Sequence, residues 1–208
     1  MKILHLDSSV LGGNSASRAL TRKVADAWRA AEPGAVVRTR DVGAEAPRHL
    51  SPDYFAIGAT PEAQRSDAQT SELKLSDALI EELLAANGLI IGAPLYNFTI
   101  PSGLKAWIDR VVVAGKTFSY GAEGPVGLAG DKKVVIVATS GGKYAESPID
   151  LAHVGHLKTV LNFIGMKDIT VVRAAGLNIG PEARAEAIAA AEAQIAGLFA
   201  AEKATAAA

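Results

Sequence analysis

Two segments of the sequence, GLIIGAP at 88–94 and KKVVIVATSGG at 132–142, are apolar at consecutive rather than alternate positions. A strand with two apolar faces needs cover on both, which helices above and below a parallel sheet provide. The rest of the chain supplies those helices. KILHLDSS (2–9) predicts a first strand, and SRALTRKVADAWRAA (17–31) a helix with Leu20, Val24, Ala27, Trp28 and Ala31 on one face. AVVRTRDV (35–42) alternates and predicts a strand at or near an edge. SELKLSDALIEELLAAN (71–87) reads as a helix with Ser71 as N-cap, SGLKAWIDRVVVAG (102–115) as the next, and DLAHVGHLKTVLNFIG (150–165) as a third that stops at Gly165. DITVVRAAGL (168–177) is the last strand, and Pro181 opens an Ala-rich helix that frays into the tail. Strand alternates with helix throughout, so the expected fold is α/β: a doubly wound, five-stranded parallel sheet in the order 2-1-3-4-5. Residues 43–70 hold Pro47, Pro52, Gly58 and Pro61 and read as an irregular insertion or lid. A length of 208 residues suits one domain, 1–208.

Composition removes several classes of function. The formal net charge is −1, which gives no electrostatic case for nucleic acid or an anionic membrane. There is no cysteine, so disulfides, thiolate nucleophiles and cysteine-ligated metals are excluded. No apolar run is long enough to span a bilayer, and MKILHLDSS reads as a strand rather than a signal peptide, so a cytoplasmic location is expected. The histidines are scattered; His153 and His156 share a predicted helix without further ligands, and no metal is expected.

In a sheet of that order the loops after strands one, three and four converge at one crevice. The first, SSVLGGNSAS, offers Ser8, Ser9, Ser15 and Ser17 at a helix start, where hydroxyls and N–H groups hold an anion or simply cap the helix. It matches neither a P-loop nor a G-x-G-x-x-G loop. Asp41, ending strand two, reads as a solvated strand end. In the second loop Pro94 ends the strand, and the N–H groups from Leu95 to Phe98 are free to point into the crevice. Tyr96 and Phe98 flank Asn97, an arrangement suited to a flat heterocycle or to a packed loop. Lys105 and Asp109 form a surface pair. The third loop, Thr139–Ser140–Gly141–Gly142, admits close approach of a ligand or makes a tight turn. Tyr144 lines the site or covers that turn.

Taken together, SS…GGNSAS, APLYNFTIPSGLKAWIDRV and TSGG resemble, over nearly the whole chain, the FMN-dependent NADH:quinone oxidoreductases, or NADH-azoreductases, of the flavodoxin-like superfamily. The resemblance implies one non-covalent FMN per chain, NADH as donor, quinone and azo-compound acceptors, two-electron ping-pong turnover and a homodimer. By position it assigns Ser9, Ser15, Ala16 and Ser17 to the phosphate and ribityl side, Pro94, Leu95, Tyr96, Asn97 and Phe98 to the loop beside the ring, and Thr139, Ser140, Gly141 and Gly142 to its pyrimidine edge. Phe98, Tyr120, Tyr144 and Phe163 are assigned to the substrate space. Ala16 stands where Gln is common, Leu95 where Met is, and Ser140 where Arg is. No catalytic acid or base is implied, because the chemistry belongs to the flavin. A flavin-binding electron carrier or a regulatory subunit of a membrane transporter is the alternative on the same fold. Leu50, Tyr54, Phe55 and Ile57, with the apolar helix at 102–115, also predict a partner surface, unless 43–70 folds over that helix within one chain.

Overall fold

The structure, a computed structural model, describes residues 1–199. Strands β1 (Lys2–Asp7), β2 (Val36–Asp41), β3 (Gly88–Pro94), β6 (Lys133–Ser140) and β7 (Ile169–Ala175) form one parallel sheet in the order β2-β1-β3-β6-β7. This is the expected doubly wound order, with alternating β2 at one edge. The side chains of each buried strand divide between two cores. Leu4, Leu6, Leu89, Ile91, Val134 and Ile136 pack under α3 (Asp67–Ala85), α4 (Ser102–Val111) and α6 (His156–Phe163). Ile3, Ile90, Val135 and Val137 pack under α1 (Ala16–Ala31) and α7 (Pro181–Gly197). Strand period two thus explains why consecutive apolar residues were needed. The register sets Pro94 beside Thr139 and Asp7 beside Asp41, so the loops leave the sheet at one edge.

Several elements differ from expectation. The 43–70 segment is not wholly irregular: it contains α2 (Pro52–Ala56), two 3-10 turns and the start of α3. Helix α3 is capped by Ser66, not Ser71. The Ser66 hydroxyl accepts from Gln69 N–H at 3.2 Å while Gln69 Oε1 accepts from Ser66 N–H at 2.9 Å. Helix α4 ends at Val111, and its apolar circumference is covered within the chain: Trp107, Ile108 and Val111 are all buried. The partner surface inferred from that helix is therefore withdrawn. Its last turn carries the fully buried Arg110, which pairs with Glu72 of α3, donates to the carbonyls of Arg48 (2.9 Å) and His49 (2.8 Å), and lies 5.0 Å from the Tyr54 ring centre. That network ties down the segment expected to be an insertion or lid. A hairpin, β4 (Phe118–Gly121) and β5 (Gly124–Gly127), was not anticipated. The helix expected at 150–165 is built from α5 (Pro148–Asp150), a π-turn at Leu151–Gly155 and α6. The end of the Ala-rich helix, expected to fray, falls in part outside the described residues. Among the described residues no helix is long and apolar enough to cross a membrane.

Candidate functional site: three loops at the carboxyl edge of the sheet

The loop after β1 is held from behind. Ser8 Oγ donates to Gly92 O of β3, and Ser9 Oγ and the Tyr96 hydroxyl are hydrogen-bonded at 3.0 Å. Ser15 caps α1 by accepting from Arg18 N–H at 3.2 Å, and its hydroxyl lies 3.0 Å from that of Ser17. The first N–H groups of a helix lack intrahelical partners, which here leaves those of Ala16 and Ser17 next to two hydroxyls. Both serines are buried, and Ala16 is half-buried between them.

Arg18, the one basic residue of this loop, is committed elsewhere. Its Nη2 and Nε donate to Ser9 O at 2.6 and 3.2 Å, and its fork grips Asp41 through two contacts of 2.6 Å. Nη1 also reaches Asp7 at 3.4 Å, where Thr21 Oγ1 (3.1 Å) and His5 Nε2 (3.2 Å) converge. Asp41 is accordingly no solvated strand end. The Arg18 hydrogen bond, opposed by burial and helped by the Ala44 and Gly43 N–H groups, holds its carboxyl below the ordinary range. Burial raises the Asp7 pKa, but His5, Thr21 and Arg18 together outweigh it and leave the net shift downward.

The loop after β3 differs from expectation in its donors. Leu95 N–H is taken by Thr139 O at 2.7 Å, and Tyr96 N–H by Thr99 O at 3.0 Å, with Thr99 N–H returning to Tyr96 O at 3.1 Å. Of the four N–H groups from Leu95 to Phe98, those of Asn97 and Phe98 have no partner among the described residues. These two form the tip of a tight turn with φ of 46° and 69°. Two central residues with positive φ are the mark of a type I′ turn, where Asn is at home and Gly, not Phe, favours the second place. The Phe98 ring is 62% exposed, so core packing does not explain the strain. Phe98→Gly is expected to raise stability by about 1 kcal/mol, read as a small upward shift of the unfolding midpoint in urea. A lower midpoint would show that the ring is packed.

Beyond the turn, Thr99 Oγ1 donates to Ala152 O of the π-turn at 2.9 Å, and a groove of about 980 Å³ runs between Tyr96, Asn97, Ile100, Lys105, Leu151 and His156. Lys105 pairs with Asp109 as expected. His153 was read only as a poor metal ligand. It is buried with Nε2 3.0 Å from Ala93 O, and burial lowers its pKa despite that bond. It braces the end of β3 against the π-turn.

In the loop after β6, the carbonyls of Ser140, Gly141 and Gly142 accept from Leu177, Asn178 and Gly176 N–H groups, each at 3.0 Å. The N–H groups of Gly141 and Gly142 keep no partner among the described residues. The Tyr144 ring lies so close over Gly142 that a Cβ there would meet it at 2.7 Å. Tyr144 therefore covers the turn, and it also borders a small cavity shared with Leu95, Thr139 and Ser140. The three loops thus leave one edge of the sheet, with Ser9 bonded to Tyr96 and Leu95 to Thr139. Tyr120 and Phe163 stand apart, on the hairpin side: both rings contact Phe118, at 5.5 and 4.7 Å, and Tyr120 is 75% exposed. Neither borders the groove beside Tyr96 within one chain.

The Arg18 network was missed by sequence reasoning, although a signal existed. Two strands predicted as parallel neighbours each carry an Asp near the carboxyl end, and one Arg stands at the start of the helix between them.

Comparison with known proteins places this arrangement. A family model described as "Flavodoxin-like fold" matches residues 1–198. FMN-dependent NADH:quinone oxidoreductase 2 of Pseudomonas aeruginosa is 56% identical over 201 residues, covering 97% of this chain and 100% of that protein. FMN-dependent NADH:quinone oxidoreductase 1 of Pseudomonas putida is 55% identical over 202 residues, again 97% and 100%. Among solved structures, an azoreductase from Bacillus anthracis superposes with a TM-score of 0.86 at 28% identity, covering 96% of this chain and 98% of that one.

Proposed function

Since the chain belongs to the flavodoxin-like family of FMN-dependent NADH:quinone oxidoreductases, we propose that it is an FMN-dependent enzyme that oxidises NADH and reduces quinones and azo compounds. The observation that carries this reading is the donor set: hydroxyls and unpartnered N–H groups from three loops meet at one edge of the sheet. Such a set fits FMN. The Ser15 and Ser17 hydroxyls with the Ala16 and Ser17 N–H groups match a phosphate. The Tyr96–Phe98 turn and the free N–H groups of Gly141 and Gly142 match a flat ring with polar edges. FMN, when bound, supplies the redox chemistry.

The chain's own residues bind and orient. Ser9, Ser15 and Ser17 fix the phosphate end. Asn97 N–H, Phe98 N–H and the Gly141–Gly142 N–H groups would donate to the polar edge of the ring. The groove beside Tyr96 receives nicotinamide and acceptor in turn. One groove shared by two substrates motivates two-electron, ping-pong turnover. Initial rates against NADH and a quinone are expected to give parallel double-reciprocal lines. Intersecting lines would overturn the ping-pong order; flavin binding without steady-state NADH oxidation would favour the carrier or regulatory-subunit reading.

The proposal includes a homodimer, with Tyr120 and Phe163 facing the substrate space of the other protomer. Its support no longer comes from α4 but from large apolar groups on the surface, with Leu151 72% and Phe55 71% exposed. Sedimentation at low micromolar concentration should give twice the chain mass; a one-chain mass with full activity would sink it.

A further inference from the structure

We propose that Arg18 is a positioning residue for the cofactor loop and not an anion ligand: it holds the Ser9 peptide in place from behind, so that phosphate recognition is left to neutral donors. This rests on the flavin reading above for the identity of the ligand, but not for the positioning itself.

The geometry has three parts. Arg18 donates twice to one carbonyl, Ser9 O, from Nη2 and Nε at 2.6 and 3.2 Å, while the adjacent Nη1–Nη2 edge is clamped by both oxygens of Asp41 at 2.6 Å. A fork so engaged has fixed direction. The Asp41 carboxylate is itself fixed by the N–H groups of Gly43 (3.0 Å) and Ala44 (2.9 Å). Gly43 in turn passes so close to the loop that a Cβ there would meet Ser9 O at 2.4 Å. The Ser9 peptide is therefore gripped by Arg18 and crowded by Gly43. From the front, Ser9 Oγ is hydrogen-bonded to the Tyr96 hydroxyl at 3.0 Å and accepts from Leu11 N–H at 3.2 Å. One buried residue thus sets both the serine loop and, through Tyr96, the turn after β3. The carboxylates bonded to the guanidinium are Asp7 on β1 at 3.4 Å and Asp41 at the end of β2. Leaving this pocket for a phosphate would strand two carboxylates, one of them buried.

Two readings of a lone arginine beside an anion loop predict opposite signs for one substitution. Asp41→Asn loosens the clamp while keeping an oxygen for the Gly43 and Ala44 N–H groups. If Arg18 positions the loop, FMN affinity should fall about tenfold and riboflavin affinity less than about threefold, because riboflavin lacks the phosphate. If Arg18 is an anion ligand held in reserve, the freed guanidinium should bind FMN equally or more tightly, and that result would overturn the proposal. Arg18→Lys keeps the charge and loses the fork; it should behave like Asp41→Asn. Full retention of FMN affinity in Arg18→Lys, or equal loss of FMN and riboflavin in both variants, also overturns it. Amide hydrogen exchange of the flavin-free protein reads the same claim without ligand. Asp41→Asn should speed exchange across residues 8–15 and leave β6 and β7 unchanged; unchanged exchange at 8–15 refutes positioning. If the wild-type chain binds no FMN, the flavin reading fails, and this exchange result alone decides the role of Arg18.

Discussion

Replacing Ser17 by Glu is expected to lower FMN affinity by about three orders of magnitude while changing riboflavin affinity by less than about tenfold. Ser17 is 1% exposed, and its hydroxyl lies 3.0 Å from that of Ser15 at the first turn of α1. A carboxylate placed there would face the phosphate at close range with little water between. At about 4 Å and an effective dielectric near 20, one pair of unit charges repels by about 4 kcal/mol, or about a thousandfold in affinity. Riboflavin lacks the opposing charge, so it loses only what the bulk of the new side chain costs. Ser17→Ala serves as the milder control: it removes one neutral hydrogen bond, about 1 kcal/mol, and should weaken FMN alone by about fivefold. Flavin fluorescence quenching measures both ligands. Equal losses of FMN and riboflavin in the two variants would show that the serine loop does not hold the phosphate.

Arg110→Met should destabilise the fold by about 3–5 kcal/mol, the range found when one partner of a buried pair is removed. Arg110 is fully buried and serves four groups at once: the Glu72 carboxylate, the carbonyls of Arg48 and His49, and the Tyr54 ring. Methionine fills much of the volume but leaves Glu72 without its buried counter-charge; the half-exposed Arg48, 3.0 Å away, compensates only in part. The melting temperature should drop by about 10 °C, and proteases should cut within 48–58 before the sheet unfolds. Replacing Glu72 and Arg110 together by Met should recover about half the loss. A drop under about 2 °C for the single variant would mean that water reaches the pair. This prediction concerns stability, and FMN affinity per folded molecule should be nearly unchanged.

Much of the fold was legible in the sequence because it depends on periodicity. A strand apolar on both faces must lie between helices, and alternating VVRTRD must lie at an edge. Helix starts were less legible, because Ser66 and Ser71 both precede helical sequence. Ser66 prevails since Gln69 closes the capping box and Gln69 and Glu72 are buried, which requires the helix to begin early. The β4–β5 hairpin had no signal of length or period: each strand has four residues and ends in glycine.

For the candidate site, the sequence by itself determined where the three loops emerge and which residue types they carry, since sheet order follows from strand patterning. Only the tertiary structure decided which of their donors are free. Leu95 N–H is lost to Thr139 O, and the Arg18 fork to Asp41 and the Ser9 carbonyl. Strain at Phe98 likewise became visible only once the Tyr96–Thr99 bridge closed the turn. The physical reason is that each backbone donor is satisfied by whichever acceptor the fold brings within about 3 Å. Those acceptors come from other strands, tens of residues away, where local pattern carries no information about distance.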